Sequence, residues 1–194
     1  FINNNLDENL DLPASLPASS ELDLPSRWIL SRLNRLIASV QRLFDIHQYG
    51  EAGSQILSFM WDEFAPWYIE ISKHPLYNGT PADKTRALQV LSHVQDICLR
   101  LLHPFMPFMT EEAWQYIPHP GEALIIADWP EVDAQRIDTA AEADMNLLIE
   151  LVRGIRNTRT EYNVDPGRRI TALIDPGSHS DKLQQYLYVF ARLC

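Results

Sequence analysis

Residues 26–44 read SRWILSRLNRLIASVQRLF, four arginines and no acid, in a chain of 194 residues whose formal net charge is -10. Wound at 3.6 residues per turn, the stretch separates into two faces. With Arg27 at zero, Ile29, Leu33, Leu36, Val40 and Phe44 fall between ~180° and ~260° and make an apolar stripe. Arg42, Arg35 and Arg32 fall near ~60°, ~80° and ~140°, with Ser31 at ~40° and Asn34 at ~340°. Trp28 falls at ~100°, among the arginines rather than the aliphatics. Pro25 suits a first helical turn, so a helix is expected to about Asp45. Two readings of its polar face stay open. The guanidinium groups and indole can hold phosphates and stack unpaired bases. Alternatively the face is merely solvated, and Trp28 folds sideways into a neighbouring helix.

The same periodicity continues downstream. A second helix is expected from Tyr49 or Gly50 to Lys73, with HPLYNGTP as its break. Its Ile56, Leu57, Phe59, Met60, Trp61, Phe64, Trp67, Tyr68 and Ile71 span a wide arc, which places it centrally with neighbours on two sides. Phe59 lies at the edge of that arc beside Gln55, Asp62 and Glu63, the best ring for stacking. Pro66 should kink or split the helix. Thr80 and Pro81 open a third helix reaching Leu102 or His103. Pro104 and Pro107 interrupt it, and Thr110 is expected to cap a short helix, EEAWQYI. HPGEALIIADWP reads as an irregular connection with room for a short strand. Thr139 and Glu142 form a capping box for a long helix to Glu161 or Tyr162. On it Arg153, Arg156, Asn157 and Thr160 share the outer face. Arg159 falls on the apolar meridian and needs a carboxylate, a carbonyl or a ligand. RITALID, 169–175, alternates as a strand, and Ser178 or Ser180 starts a last helix.

The expected architecture is mainly α. Residues 1–23 form a linker or lead-in, 24–163 an antiparallel helical bundle, and 164–194 the start of a small, truncated α/β element. A chain that opens on Phe reads as a piece of something longer. The apolar fraction of 46% and charged fraction of 22% are those of a soluble globular protein. No run of residues is long and apolar enough to span a bilayer, and no secretion signal opens the chain. Two cysteines give neither a disulfide framework nor a metal spacing, and Cys98 reads as a buried, inert thiol. A reducing cytoplasm fits. The six histidines show no ligand pattern, so no metal is expected. Net acidity argues against a non-specific nucleic-acid binder, but the 13 arginines to 3 lysines are clustered in runs. No nucleotide-binding loop, nucleophile elbow or assembled triad is present, so no catalytic residue is assigned.

Four segments together carry a resemblance: PSRWILSRLNRLI at 25–37, FMWDEFAPWYIEISK at 59–73, LLHPFMPFMTEEAWQ at 101–115 and IRNTRTEYNVDPGRRI at 155–170. In this order they resemble the valyl-tRNA synthetase family, over about residues 20–175. The second and third are shared with the leucyl and isoleucyl relatives, whose equivalent domain is the alternative. Ile155, Arg156, Asn157, Arg159, Glu161, Asn163 and Val164 point to valine. The resemblance implies the helical anticodon-binding domain of a class I synthetase. The intact enzyme would activate valine with ATP and Mg, charge tRNA(Val) in the cytoplasm, and edit mischarged threonyl-tRNA elsewhere in the chain. The HIGH and KMSKS motifs do not occur here, so this piece is expected to bind tRNA without catalysing, and to need no cofactor itself. Arg27, Trp28, Arg32, Asn34, Arg35, Phe59, Asp62, Arg156 and Arg159 are the implied RNA-binding residues. The other implied partner is the catalytic core of the same chain, with which a docking or structural role competes; a monomer is expected, with no DNA or membrane partner. Pro66 departs from the family pattern.

Overall fold

The computed structural model describes residues 1–5, 15–119, 121–165, 167–175 and 180–194. The chain forms two compact units, Phe1–Ala141 and Glu142–Cys194. Its elements are helical, and no strand occurs among the described residues.

Helix α1 (Leu24–Asp45) is the axis of the first unit. The Asp23 carboxylate accepts from the Ser26 amide, and Pro25 sits in the first turn. The helix stops at His47, which takes positive φ (61°), while the Gln48 amide donates back to the Leu43 carbonyl at 2.8 Å. Around α1 pack α2 (Tyr49–Ser58), the stretch that follows it, and α4 (Pro81–Leu102). With neighbours on several sides, α1 buries Trp28, Leu30 and Ile37 as well as Ile29, Leu33, Leu36 and Val40 of the expected stripe, while Phe44 is half-buried.

The second helical run departs from expectation twice. Pro66 does not split it. Phe59–Ile69 winds as a π-helix, and the run continues as α3 (Glu70–Asn78) with Pro75 inside it. A π-turn is one way to accommodate a residue that lacks an N–H and crowds the preceding turn of an α-helix. The break therefore lies at Gly79, where a Cβ would stand 2.5 Å from the Pro75 carbonyl oxygen. The expected central helix also leaves apolar surface in solvent: Trp61 is 74% exposed and Leu57 is exposed too.

Thr80 caps α4 as expected, with Asp83 closing the box: Asp83 N donates to Thr80 Oγ1 at 3.3 Å and Thr80 N to Asp83 Oδ2 at 2.9 Å. On its buried face, desolvation with a lesser push from Asp96 raises the Cys98 thiol far above its usual range. That makes it inert. Nearby, burial lowers His93 to about 4, against Asp96 and with Arg136 and Arg100. The unfolded chain binds this proton near pH 6.5 and the folded chain only near 4, so the stability His93 confers is lost as pH falls through that window. We expect wild type to lose up to roughly 3 kcal/mol more than His93→Gln between pH 7 and 4, read from urea midpoints. Parallel pH curves for the two proteins would refute this.

Helix α5 (Pro107–Trp114) begins three residues before the expected cap. Pro107 supplies the first turn, and Thr110 lies inside the helix, buried. Its Oγ1 reaches the Met106 carbonyl at 2.9 Å and His103 Nδ1 at 2.8 Å, closing the HPFMP turn rather than capping. The following connection shows no strand among its described residues. It holds the 3₁₀ turns Leu124–Ile126 and Ala134–Arg136. Asp138, not Thr139, caps α6 (Thr139–Glu161): its carboxylate accepts from the Ala141 amide at 2.8 Å.

In the second unit, α6 ends at Glu161, the chain turns at Asn163 (φ 49°), and α7 (Ser180–Gln185) and α8 (Leu187–Leu193) follow. Residues 169–175 form no strand. A strand needs a neighbouring edge for its backbone groups, and no described segment offers one. Residues 176–179 lie outside the description, so the expectation of a start at Ser178 does too.

Candidate nucleic-acid interface

The polar face of α1 carries most of the implied RNA-binding residues, and the structure divides them into three groups. One part of the face is covered by the connection that leads into α6. Asn34 is buried; its Oδ1 accepts from the Asp133 amide at 2.7 Å while its Nδ2 donates to the Leu30 carbonyl at 2.9 Å. The Ser31 hydroxyl accepts from the Asp138 amide at 2.8 Å, and Arg27 pairs with the Asp138 carboxylate at 3.0 Å. These side chains satisfy backbone donors that burial would otherwise leave unpaired. Asn34 has no edge left to present to a base.

A second group is core. Trp28 is 1% exposed, so the sideways-folded alternative describes it, not the exposed indole. Phe59 is buried as well, its ring parallel to Phe64 within 5° at a centroid distance of 6.5 Å.

The third group lines a groove of about 320 Å³ between α1 and the second helical run. Arg32, Arg35, Leu36 and Ser39 form one wall, and Gln55, Ser58, Phe59 and Glu63 the other. Arg32 forks onto Glu63, Nε to Oε2 at 2.7 Å and Nη2 to Oε1 at 2.9 Å, with its side chain 37% exposed. The Ser39 hydroxyl donates to Gln55 Oε1 at 2.7 Å, and Gln55 Nε2 donates to Glu51 at 2.9 Å. The groove thus offers two guanidinium groups, a carboxylate, an amide and two hydroxyls, with Phe59 buried in one wall. That is the mixture that grips a backbone and reads a splayed base. Asp62 is exposed on the next turn. Sequence periodicity set Gln55 and Glu63 beside Phe59 without assigning them to the site, and did not single out Ser39 or Ser58.

The remaining two residues lie in the second unit. Arg159 finds carbonyl partners, its Nη2 donating to Asp165 O at 2.9 Å and Arg168 O at 3.0 Å. It thereby braces the turn that follows α6. Arg156 donates from Nε to the Leu193 carbonyl at 2.6 Å and is otherwise exposed. Among the described residues no three His, Cys, Asp or Glu side chains gather as metal ligands, and no helix is long and apolar enough to cross a membrane.

Residues 26–174 match the family described as the anticodon-binding domain of tRNA ligase. The chain is 45% identical over 167 residues to a valine–tRNA ligase of Bacillus licheniformis, covering 86% of this chain and 18% of that protein. A valine–tRNA ligase of Enterococcus faecalis is 46% identical over 161 residues, 83% of this chain and 18% of the relative. One from Listeria monocytogenes is 40% identical over 178 residues, 91% and 20%. The chain therefore spans about a fifth of the length of these relatives.

Proposed function

The chain belongs to the anticodon-binding domain family of tRNA ligases, and on that premise we propose that it is the part of a valine–tRNA ligase that holds the anticodon stem-loop of tRNA(Val). The observation that carries this reading is the groove in which Arg32 and Arg35 face Gln55, Ser58 and Glu63. Anticodon bases are unstacked, and an unpaired base is recognised by stacking on planar groups and by hydrogen bonds to its edges. The guanidinium planes supply the first, and the amide, hydroxyl and carboxylate supply the second. Arg27 extends the basic strip, and Asp62 is the exposed acid next to Glu63 in sequence. Trp28, Asn34 and Phe59 serve as positioning residues that fix α1 and the second run. Arg156 and Arg159 belong to this reading as the basic part of the second unit. The activity is that of the whole ligase: attaching valine to tRNA(Val) with ATP and Mg, in the cytoplasm, as a monomer, with editing in another domain.

Arg32 already grips a carboxylate in fork geometry, so a phosphate or base edge must replace Glu63 or share the fork with it. The test is fluorescence anisotropy with the tRNA(Val) anticodon stem-loop beside a loop with its middle anticodon base swapped. We expect preference for the valine loop, and a loss of about tenfold in affinity for Arg32→Ala and for Arg35→Ala. Each arginine that contacts phosphate should also lower the slope of log affinity against log salt by about one. Equal binding of both loops, unchanged in either variant, would remove the groove from anticodon reading.

A further inference from the structure

The carboxylate of Glu63 stands where a bound phosphate would compete with it. Its two oxygens take Nε and Nη2 of Arg32, at 2.7 Å and 2.9 Å, in the parallel fork by which guanidinium groups also hold phosphates. The pair is half-buried, with side chains 37% and 23% exposed, and both residues line the groove of about 320 Å³. In the free protein the anion slot of Arg32 is therefore already filled. A phosphate that enters it turns a carboxylate out into the same groove, where the two like charges repel.

Other polar groups of the wall are committed. The Ser39 hydroxyl donates to Gln55 Oε1 at 2.7 Å, and Gln55 Nε2 donates to Glu51 at 2.9 Å, a relay that runs from α1 onto α2. Glu63 differs from them. An ionised carboxylate has about four lone-pair sites, and the fork uses one on each oxygen. Glu63 can thus accept a further hydrogen bond without releasing Arg32. The base that suits it offers a donor: adenine N6, cytosine N4 or guanine N2, each an exocyclic amino group. Uracil presents the O4 carbonyl instead and meets the carboxylate acceptor to acceptor. Valine codons begin with GU, so the last two anticodon bases of a tRNA(Val) are adenine and cytosine, and both carry the amino group. We propose that Glu63 is the specificity-determining residue of the groove. It fills the anion slot of Arg32 in the free protein and admits RNA that presents an amino-bearing base to its carboxylate. This deepens the anticodon reading above and rests on it.

The test is fluorescence anisotropy of the 194-residue chain and its Glu63→Gln variant. The probes are the tRNA(Val) anticodon stem-loop, that loop with its middle adenine replaced by purine, that loop with the following cytosine replaced by uracil, and a uridine oligonucleotide. Glu63→Gln keeps the volume but puts an amide N–H₂ where one oxygen stood, so the fork on Arg32 cannot close. Wild type should lose about tenfold in affinity when one of the two amino groups is removed, and Glu63→Gln no more than about twofold at that same base. The oligonucleotide, which brings phosphates and no amino group, should bind Glu63→Gln about fivefold more tightly than wild type. That gain should disappear in an Arg32→Ala background. Wild-type discrimination that survives unchanged in Glu63→Gln overturns the proposal and leaves the anticodon reading standing. An oligonucleotide gain that is absent overturns it too, as does one that persists without Arg32, which is charge repulsion alone. Equal affinity of wild type for every loop removes the anticodon reading, and Glu63 as its selector goes with it.

Discussion

Trp28→Ala is expected to cost ~3–5 kcal/mol of stability, the range for truncating a fully buried aromatic. That is a large share of the ~5–15 kcal/mol that holds a domain folded. The indole is 1% exposed, on a helix packed against α2, the π-helical stretch and α4. Neighbours held on several sides by other contacts cannot all move in to fill the vacated volume, so most of the cavity persists. Trp28→Phe keeps a ring in the space and should recover more than half of the loss. Urea denaturation followed by far-UV circular dichroism measures both. A residue that stacked on a base at the surface would behave in the opposite way. Its alanine variant would stay within ~0.5 kcal/mol of wild type and lose only RNA affinity. That second pattern would put Trp28 back on the binding face. Any loss of RNA binding in Trp28→Ala must therefore be read against its folded fraction.

The difference between the expected and observed fates of Trp28 and Asn34 shows where sequence reading reaches and where it stops. Elements with their own period and punctuation were legible: α1 and α4 start where Pro25, Thr80 and Pro81 place them and end at Asp45 and Leu102, as expected. The family was legible too, because its segments combine rare residues at fixed spacings. The covering of α1 was not. The segment that lies on its polar face, 128–138, is irregular and carries no periodicity, yet its amides select Ser31 and Asn34 as acceptors. A polar face on a helical wheel is the same whether it meets water or another backbone. The π-helical stretch was illegible for a related reason. Assuming 3.6 residues per turn puts side chains after Phe59 at the wrong angles, and so Trp61, assigned to the core arc, emerges in solvent. Of the candidate site, Arg32 and Arg35 were legible as a basic strip. Their partners across the groove come from another helix, and only the packing decides which side chains face them.

Asp96→Ala should be as damaging as the loss of Trp28, through electrostatics rather than volume. One oxygen of Asp96 accepts from the indole of fully buried Trp114 at 2.6 Å, and the other from Arg100 Nε at 2.9 Å. Both charged side chains are only 14% exposed. The Arg100 guanidinium lies 6.0 Å from the Trp114 ring and donates onward to the Asp128 carbonyl at 3.1 Å. Removing the carboxylate leaves an indole N–H without its acceptor and a largely buried cation without its counter-charge, which costs ~3–5 kcal/mol. Asp96→Asn retains an acceptor for the indole but not the charge, so it should fall between alanine and wild type. Adding Arg100→Met to Asp96→Ala should recover part of the loss, because the cation then goes with its partner. A double variant whose loss equals the sum of the single losses would mean that the two groups are not coupled. The damage should also appear at a distance. The connection is held at Asp128 by Arg100 and at Asp133 and Asp138 by α1. Releasing the first hold should speed hydrogen exchange at the Asp133 and Asp138 amides relative to those inside α1. If those two amides keep their wild-type rates, the polar face of α1 alone suffices to hold the connection in place.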